Sequence, residues 1–518
     1  MMKCLTKADI VAVAVSKRLT KPHIPTGMGA DQSRSRNAGY PAPPAQPRTC
    51  GFAASGSSVV LAIAQDKTII LNTRFLVMGK TSDIFALYLF VASLMAVAFI
   101  YGVFAYKNKL FPVPQVQRII NSLVDIQEAT GTRLPWYHKK TTRTTKVTVN
   151  DDELTTSGLI AISTISADNE MIVQIIDRSA NIIHEWKIDW FRIWPNPDHL
   201  KDDIRPRSRP GTHIHGMVLL DDGDLVFNFE GLGLVRLNSC GEVVWRLPYR
   251  THHSIHLDES GNFWVPGQIT HTEPLARLPN YKPPFEEFTI LEVSPNGQII
   301  TEISVSELIQ ENGLSGLLYL STRADDSTLV SGDTLHLNDV ETFPSSLASG
   351  VFERGDIMIS LRNINTIIVF NKEDRKIKFQ STGHFLRQHD PDFIDGNTIS
   401  LFDNNNLYPQ SDRGTSRIVS LSAEHGGHVS TVYSGTVDQP FYSSKMGKHQ
   451  LFSNGNILIT ESMTGRAFEI NRKGNVVWEY FNLVDDGLLA YLSEAQKLPG
   501  HLSKEFFNNK AKRICQSP

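Results

Sequence analysis

The sequence predicts an all-β protein preceded by one transmembrane helix, and three observations support that fold class. An uncharged segment, Ile84–Tyr106, lies near the N-terminus. From about Ser157 onward, short alternating strands are separated by polar turns. These strands recur as pairs of hairpins, in about six similar units of four strands each. Because such units cannot bury their faces alone and are stabilised by radial stacking, the prediction is a six-bladed β-propeller.

The bulk composition excludes some classes of protein. The chain has 518 residues and a formal net charge of −3, so a general affinity for nucleic acid is not expected. Its four cysteines, Cys4, Cys50, Cys240 and Cys515, show no CxxC and no paired spacing. The spacing therefore predicts neither a zinc ribbon nor a disulfide framework, and Cys240 is expected to be unpaired.

The N-terminal part of the chain is predicted to hold an extension and an anchor. Residues 1–77 are expected to be disordered, because residues 22–56 are rich in proline, glycine, serine and alanine. Residues 84–106 carry no charge and are long enough to cross a bilayer as a helix, with tyrosines near both ends. A buried core helix is the alternative. No small-residue cleavage site clearly follows, so we predict an uncleaved single-pass anchor.

The charges beside this anchor do not predict its orientation. Three basic residues precede the span and three follow it: Lys67, Arg74 and Lys80, then Lys107, Lys109 and Arg118. Residues 110–150 are predicted to be a linker. The linker contains an amphipathic helix, because its apolar residues recur at helical spacing: Val116, Ile119, Ile120, Leu123 and Ile126.

Residues 155–485 are predicted to form the propeller, and residues 486–518 a helical tail. The first halves of the repeated units read HGMVLLDDGDLVF, HSIHLDESGNFWV, HDPDFIDGNTISLF and KHQLFSNGNILIT. The second halves include GLGLVRLNSCGEVVWRL and GRAFEINRKGNVVWEY. Each unit is about 40 to 50 residues long and contains two hairpins. A β-sandwich is the alternative, but it does not explain a sixfold pattern.

Histidines recur at one position of these units. His215, His253 and His389 each precede the turn glycine of a first hairpin by seven or eight residues. His336 stands at the corresponding strand entrance in DTLHLNDVETFP, while Gly447 takes this place in the last unit. Since repeat symmetry brings equivalent positions together around the axis, these four imidazoles are expected to share one location.

Three chemistries are open for such a group of histidines. The group could bind a transition metal, with Asp339 and Asp390 as possible carboxylate ligands. It could bind an anion without catalysis. It could also supply a nucleophile. The third possibility is favoured by Arg362 in MISLRNINTIIVF, which we place on the strand after His336, where a guanidinium suits sulfate or phosphate oxygens.

The chain resembles the bacterial arylsulfate sulfotransferases, a family of six-bladed propellers, over about residues 155–500. The motifs that carry the resemblance are HHSIHLDESGNFWV, DTLHLNDVETFP with MISLRNINTIIVFN, RQHDPDFIDGNTISLFDNN, and FSNGNILITESMTGRAFEINRKGNVVWEY. The resemblance implies a ping-pong transfer of sulfuryl groups between phenols through a sulfohistidine, with no nucleotide, cofactor or metal. The implied partners are an aryl sulfate and a phenol or other hydroxyl acceptor.

The resemblance also implies roles for individual residues. His389 matches the nucleophile, and His336, Arg362 and one of His252 and His253 match the groups that hold the sulfate and assist the leaving phenolate. Repeat spacing favours His253 of that pair. The substrate-binding candidates are His215, Asn338 and Asn404.

Several features depart from the family, and they bear on location and loop shape. An anchor replaces the cleaved signal of soluble members, the family's disulfide has no match, and residues 404–406 replace the usual glycine-bearing turn. By resemblance, the propeller is expected outside the cytoplasmic membrane. Two alternatives remain: a non-catalytic propeller that binds a protein, glycan or sulfated ligand, and a metal-dependent hydrolase.

Overall fold

The computed structural model describes residues 80–108, 110–129, 133–321, 330–407, 415–424, 427–511 and 515. The extension predicted to be disordered, residues 1–77, lies outside the described residues. The described part of the chain contains two long helices near its start and is otherwise mostly β-sheet.

Helix α1 spans Lys80–Asn108 and includes the segment predicted to cross a membrane. Its 29 residues correspond to about 43 Å of helix, which exceeds the roughly 30 Å of bilayer hydrocarbon. The hydroxyl of Ser93 donates to the carbonyl oxygen of Leu89 at 2.8 Å, so this polar group is satisfied within the helix. Helix α1 is therefore long and apolar enough to cross a membrane.

Helix α2 spans Val113–Ala129 and begins directly after Pro112. Prolines at positions 112 and 114 suit the first turn of a helix, where the backbone N–H groups have no partner within the helix. Four apolar residues of the predicted amphipathic stretch are exposed along α2: Val116, Ile119, Ile120 and Leu123.

The repeated units form six sheets of four or five strands within the described residues. Two short strands precede them, β1 (His138–Lys140) and β2 (Val147–Asn150). The first sheet begins with β3 (Ile160–Ile165), β4 (Met171–Ile176) and β5 (Ile182–Ile188). The second contains β6 (Ile214–Leu219), β7 (Leu225–Phe229), β8 (Gly233–Leu237) and β9 (Val243–Leu247). The third contains β10 (His256–Leu257), β11 (Phe263–His271), β12 (Tyr281–Val293), β13 (Ile299–Ser304) and β14 (Val330–Gly332).

The remaining strands complete the other three sheets. The fourth sheet contains β15 (Leu337–Thr342), β16 (Asp356–Leu361), β17 (Thr366–Asn371) and β18 (Ile377–Thr382). The fifth contains β19 (His389–Asp395), β20 (Thr398–Asp403), β21 (Arg417–Ser422) and β22 (His428–Ser434). The sixth contains β23 (Lys448–Leu451), β24 (Ile457–Glu461), β25 (Arg466–Ile470) and β26 (Val476–Phe481), with β2 beside β26. The last strands are β27 (Leu483–Asp485), β28 (Leu488–Ala490) and β29 (Glu494–Lys497).

Successive strands of each sheet are antiparallel neighbours, while β14 runs parallel to β12. Two short helices, α3 (Trp190–Ile193) and α4 (Val305–Glu311), lie in the connections after β5 and β13. In the turn between β10 and β11, Asp258 accepts hydrogen bonds from the backbone N–H groups of Ser260 and Asn262. Gly261 in this turn has φ 82°, a left-handed conformation that glycine adopts without steric cost.

Buried apolar clusters lie between successive sheets. Val226 of the second sheet packs with Phe263 of the third, and equivalent clusters follow between the later neighbours. Trp478 of the sixth sheet and Ile160 of the first also share one cluster. In addition, β29 pairs with β3, so the end of the chain supplies the edge strand of the first sheet. The clusters thus link each sheet to the next and the sixth to the first.

The predicted helical tail is wrong for much of residues 486–518. Strands β28 and β29 occupy the first part of this range, and the described helix there is a short π-helix, Phe506–Ala511. The reason is non-local, because β29 forms by pairing with an open edge of β3 more than 300 residues earlier in the chain. Local periodicity does not contain that information.

Two further expectations also differ from the structure. Cys240 is not unpaired: it forms a disulfide with Cys515, with the two Cα atoms 5.2 Å apart. Their separation of 275 residues gave no spacing signal, and the fold brings them together. Arg362 does not lie within a strand, because β16 ends at Leu361 and Arg362 opens a 3₁₀ turn that ends at Ile364.

Candidate active site

Five histidines lie close together where the first strands of four sheets begin. His215 lies in β6, His252 and His253 precede β10, His336 precedes β15, and His389 opens β19. The ring centroid of His253 is 3.9 Å from that of His215, 4.8 Å from that of His336 and 6.2 Å from that of His389. The structure therefore brings together imidazoles from positions 215 to 389 of the chain.

The backbone at these entrances is unusual, and it shows that the positions are not strictly equivalent. His253 and His336 have φ of 59° and 56°, in the left-handed region that non-glycine residues rarely adopt. In the fifth sheet the residue with this conformation is Asp390, with φ 51°, one position after His389. The nucleophile candidate is thus offset by one residue from the histidines of the third and fourth sheets.

The side chain of Asn404 fixes which nitrogen of His389 carries a proton. The amide nitrogen of Asn404 donates to the carbonyl oxygens of Ser443 and Met446, at 2.9 and 2.7 Å. Its oxygen therefore faces Nδ1 of His389, at 2.6 Å, and can only accept. The carbonyl oxygen of Arg387 also lies 3.0 Å from this Nδ1. Nδ1 must be protonated, so neutral His389 has its lone pair on Nε2.

Nε2 of His389 is buried and has no hydrogen-bond partner. Burial, followed by the positive charge of Arg362, lowers the pKa of His389 well below its usual value. The ring is therefore neutral at pH 7. A neutral imidazole with an unpaired nitrogen is a nucleophile that needs no separate base.

The other histidines form a hydrogen-bonded chain that begins at Asp333. Asp333 accepts from Nδ1 of His336, so Nε2 of a neutral His336 is an acceptor. That nitrogen lies 3.2 Å from Nε2 of His253, whose Nδ1 lies 2.8 Å from Nδ1 of His252. These contacts require His253 to donate to His336 and His252 to donate to His253 when all three rings are neutral.

Burial lowers the pKa of His253, His336 and His252, that of His252 to about 3. Arg362 contributes to the shift at His336, while Asp333 opposes it. In the free protein these rings are therefore neutral at pH 7. An anion bound beside these rings would favour their charged form, since a negative charge stabilises a neighbouring imidazolium.

Arg362 lies beside His336 and His389. Its backbone N–H donates to the carbonyl oxygen of His336 at 3.0 Å, which fixes the start of its side chain. The guanidinium makes only long contacts, 3.3 and 3.4 Å, to the amide oxygen of Asn363. Burial lowers the pKa of Arg362 to about 10, so it stays positively charged at pH 7. Within the described residues it forms no ion pair, so it remains available to an anion.

The three substrate-binding candidates have different positions. Nδ1 of His215 lies 2.6 Å from a carboxylate oxygen of Glu230. Asn338 donates to the carbonyl oxygen of Gln388 at 2.8 Å, and its own amide oxygen is buried without a partner. Asn404 contacts His389 from behind, so the structure gives it a positioning contact rather than one to a substrate.

Sequence reasoning missed two carboxylates of the site, Glu230 and Asp333. Glu230 follows β7 and lies within 4.8 Å of His215, His252 and His253 through their ligand atoms. Burial raises the pKa of Glu230, but the charge and the hydrogen bond of His215 outweigh this effect and lower the pKa below its usual value. Nothing in the sequence repeats at these two positions, so no periodic signal could have found them.

The same atoms could hold a metal ion. The groups with suitable spacing are His213, His215 and Glu230, and Glu230, His252 and His253. Both share Glu230, which already accepts a hydrogen bond from His215. Neither group includes His389 or Arg362, so a metal there would leave the unpaired nitrogen and the guanidinium without a role.

Comparisons with known proteins identify the family of the chain. Residues 216–482 match the family described as arylsulfotransferase (ASST), so the chain belongs to that family. The resemblance expected from the sequence is confirmed, and membership supports an aryl sulfotransferase activity. A search of curated proteins finds no match.

Solved structures with similar folds have low identity to the chain. A protein of unknown function from Bacteroides caccae shows 13% identity over 65% of this chain and 98% of its own, with a TM-score of 0.40. The Cps50 (Swd1) β-propeller domain of Myceliophteria thermophila shows 8% identity over 66% and 88%, with a TM-score of 0.35. Virginiamycin B lyase from Staphylococcus aureus shows 13% identity over 52% and 71%, with a TM-score of 0.30. At these TM-scores the three similarities carry no inference about function.

Proposed function

We propose that the protein is a membrane-anchored arylsulfate sulfotransferase that acts through a sulfohistidine at His389. The observation that carries the proposal is the buried, unpaired Nε2 of His389, held in that state by Asn404. A buried polar atom without a partner costs free energy, so this nitrogen calls for a role. Nε2 of His252 is also buried without a partner, but His389 in addition lies close to the positive charge of Arg362.

In the first half-reaction, the Nε2 lone pair attacks the sulfur of the aryl sulfate and the bond from sulfur to the phenolic oxygen breaks. The phenolate leaves with that electron pair. The imidazole ring then carries a positive charge on its Nδ1–H side, which the oxygens of Asn404 and Arg387 stabilise. Arg362 offsets the charge on the sulfuryl oxygens.

The leaving phenolate requires a proton, since phenols have a pKa of about 10. His336 is the proposed donor, because its hydrogen bond to Asp333 stabilises the imidazolium form. His253 and His252 extend this chain and redistribute the proton. In the second half-reaction an acceptor hydroxyl returns its proton to His336 and attacks the sulfur, and the bond from sulfur to Nε2 breaks. The first step thus ends with sulfated His389, and the second restores the free imidazole.

Water must be kept from the sulfohistidine for transfer to exceed hydrolysis. A narrow cavity of about 10 Å³ next to His389 and Asn338 has room for about one water molecule. A cavity this small admits few solvent molecules to His389 from the side of Asn338.

We further propose that the six sheets are blades of a closed propeller on the outer side of the membrane. The apolar cluster between the sixth and first sheets and the β29–β3 pair support closure. The Cys240–Cys515 disulfide supports an oxidising compartment. This orientation is tested by adding protease to cells whose outer layers have been removed, so that the outer face of the cytoplasmic membrane is accessible. We expect the protease to digest residues 155–500. Full protection of these residues would contradict the orientation.

The function is tested by sulfuryl transfer from an aryl sulfate to a phenol. The His389→Ala protein should lose transfer by about 10⁴-fold or more, because no other group can form the covalent intermediate. His384→Ala is the matched control, since His384 is exposed and lies five residues earlier. Equal transfer by the wild type and His389→Ala would end the proposal.

A further inference from the structure

A second, larger cavity lies next to the histidine site and has the opposite electrostatic character. Its volume is about 440 Å³, and it shares Ser254, Asp339, Asp390 and Lys448 with the narrow cavity beside His389. Among the described residues that line it, five are carboxylates and three are basic: Asp339, Glu341, Asp390, Asp392 and Glu494, with His256, Lys448 and His449. The proposed transfer reaction uses none of these side chains.

Two of the basic residues, Lys448 and His449, bond to one carboxylate, while Nε2 of His256 lies 2.9 Å from the hydroxyl of Thr342. Asp390 accepts from Nζ of Lys448 at 2.9 Å, and from the backbone N–H and Nδ1 of His449 at 2.6 and 3.0 Å. Nε2 of His449 lies 2.7 Å from the hydroxyl of Ser400. Both nitrogens of His449 are therefore engaged, and neither is free to ligate a metal ion.

Glu341 and Asp392 lack comparable partners. Glu341 is 9% exposed, it lines the cavity, and its Oε2 is buried without a hydrogen-bond partner. The Glu341 carboxylate lies against the backbone N–H of Phe393, which places it beside Asp392. The closest basic atom recorded for Asp392 is Nε2 of His449, at 3.6 Å. An unpaired, buried carboxylate oxygen that faces a cavity is costly unless a proton or a cation neutralises it.

We propose that this cavity binds one hard divalent cation, best suited to Ca²⁺, through the carboxylates of Glu341 and Asp392 with Asp339 beside them. The ligands are oxygens only, which favours calcium, magnesium or manganese over zinc or copper. The cavity also leaves room for the water ligands that complete a coordination of six to eight oxygens around calcium.

The proposed ion would join two sheets. Glu341 lies in β15 of the fourth sheet and Asp392 in β19 of the fifth. His336 immediately precedes β15 and His389 opens β19, so the ion would hold together the strands next to two site histidines. This role is independent of the transfer reaction, and a protein with no sulfotransferase activity could still bind the ion.

The proposal is tested on the full chain in detergent micelles after treatment with a chelator. Titration with CaCl₂ in a calorimeter should show one binding event, and Ca²⁺ at saturation should raise the thermal midpoint by at least about 2 °C. In Glu341→Gln, and in Glu341→Gln combined with Asp392→Asn, both responses should be lost. The matched control is Asp395→Asn, which changes an exposed carboxylate at the end of the same strand, β19, and should retain both.

The thermal midpoint without calcium separates a binding defect from a folding defect. Glu341→Gln removes an uncompensated carboxylate, so its midpoint in chelator should be no lower than that of the wild type. No calcium response in the wild type, or an equal response in Glu341→Gln, would overturn the proposal. A wild-type response to Mg²⁺ that is stronger than the response to Ca²⁺ would overturn the choice of calcium.

Discussion

Two neighbouring cavities of this protein share four residues but differ in how their charges are balanced. Around His389, two carboxylates have histidine partners: Glu230 bonds to His215 and Asp333 bonds to His336. Arg362 has no ion-pair partner within the described residues, so the histidine site contains an uncompensated positive charge. In the larger cavity, Asp390 bonds to both Lys448 and His449, and Oε2 of Glu341 has no hydrogen-bond partner.

The comparison shows that the unpaired group, rather than the number of charges, predicts what a site binds. The first site has an unpaired guanidinium and an unpaired imidazole nitrogen, which suit an anion with an electrophilic centre. The second has an unpaired carboxylate, which suits a cation. The predictions below test this division, from the largest expected effect to the smallest.

Replacing His336 with Gln should slow transfer from phenyl sulfate by about 10²- to 10⁴-fold, because the leaving phenolate loses its proton donor. With a nitrophenyl sulfate the loss should be much smaller, since that phenolate is stable without a proton. This prediction is checked by measuring the transfer rates from both donors in His336→Gln and in the control His384→Gln. An equal loss for both donors would remove His336 from the role of acid.

Replacing Arg362 with Gln should lower transfer by about 10²- to 10³-fold, because one preorganised positive charge on the sulfuryl oxygens is lost. Arg362→Lys should restore little of it, since an ammonium lacks the planar fork of the guanidinium. Arg354→Gln is the control, because Arg354 is exposed and lies in the turn before β16. An unchanged rate in Arg362→Gln would place the anion elsewhere.

Replacing Asn404 with Asp should shift the acidic limb of the pH–rate profile upward. In the wild type, burial and Arg362 lower the pKa of His389, so the ring stays neutral and active to below pH 6.5. A carboxylate at position 404 would favour the protonated ring, raise that pKa and move the limb up by about one pH unit or more. A limb at the same pH in both proteins would show that Asn404 does not position His389.

Replacing Glu341 with Gln should change transfer by less than about twofold in the presence of calcium, because Glu341 belongs to the other cavity. The same preparation should lose its calcium response. A large fall in transfer, with calcium binding intact, would break the division between the two cavities.

Much of the fold and part of the site followed from sequence patterns that repeat. Alternating strands and turn glycines predicted the sheets. The spacing of His253 and His389 to those glycines predicted that both lie near strand entrances, and His336 was placed at the corresponding entrance. Features made by distant pairing had no such signal. The edge strand β29, the Cys240–Cys515 disulfide and the partners Glu230 and Asp333 depend on contacts between segments that only the folded chain brings together.

The anchor shows the same limit. Hydropathy predicted helix α1, because membrane-crossing length and apolarity are local properties of the sequence. Its orientation depends on a charge difference that the sequence lacks, and the disulfide supplies independent support for the outer side. Arg362 was placed in the right region but on the wrong element, because the end of β16 and the 3₁₀ turn are set by packing.

The most direct measurement is the mass of the protein after brief reaction with an aryl sulfate in the absence of an acceptor, followed by peptide mapping. We expect one added sulfuryl group, located on the peptide that contains His389, which disappears when a phenol is added. An adduct on a different residue, or transfer between phenols with no adduct at any time, would contradict a sulfohistidine at His389.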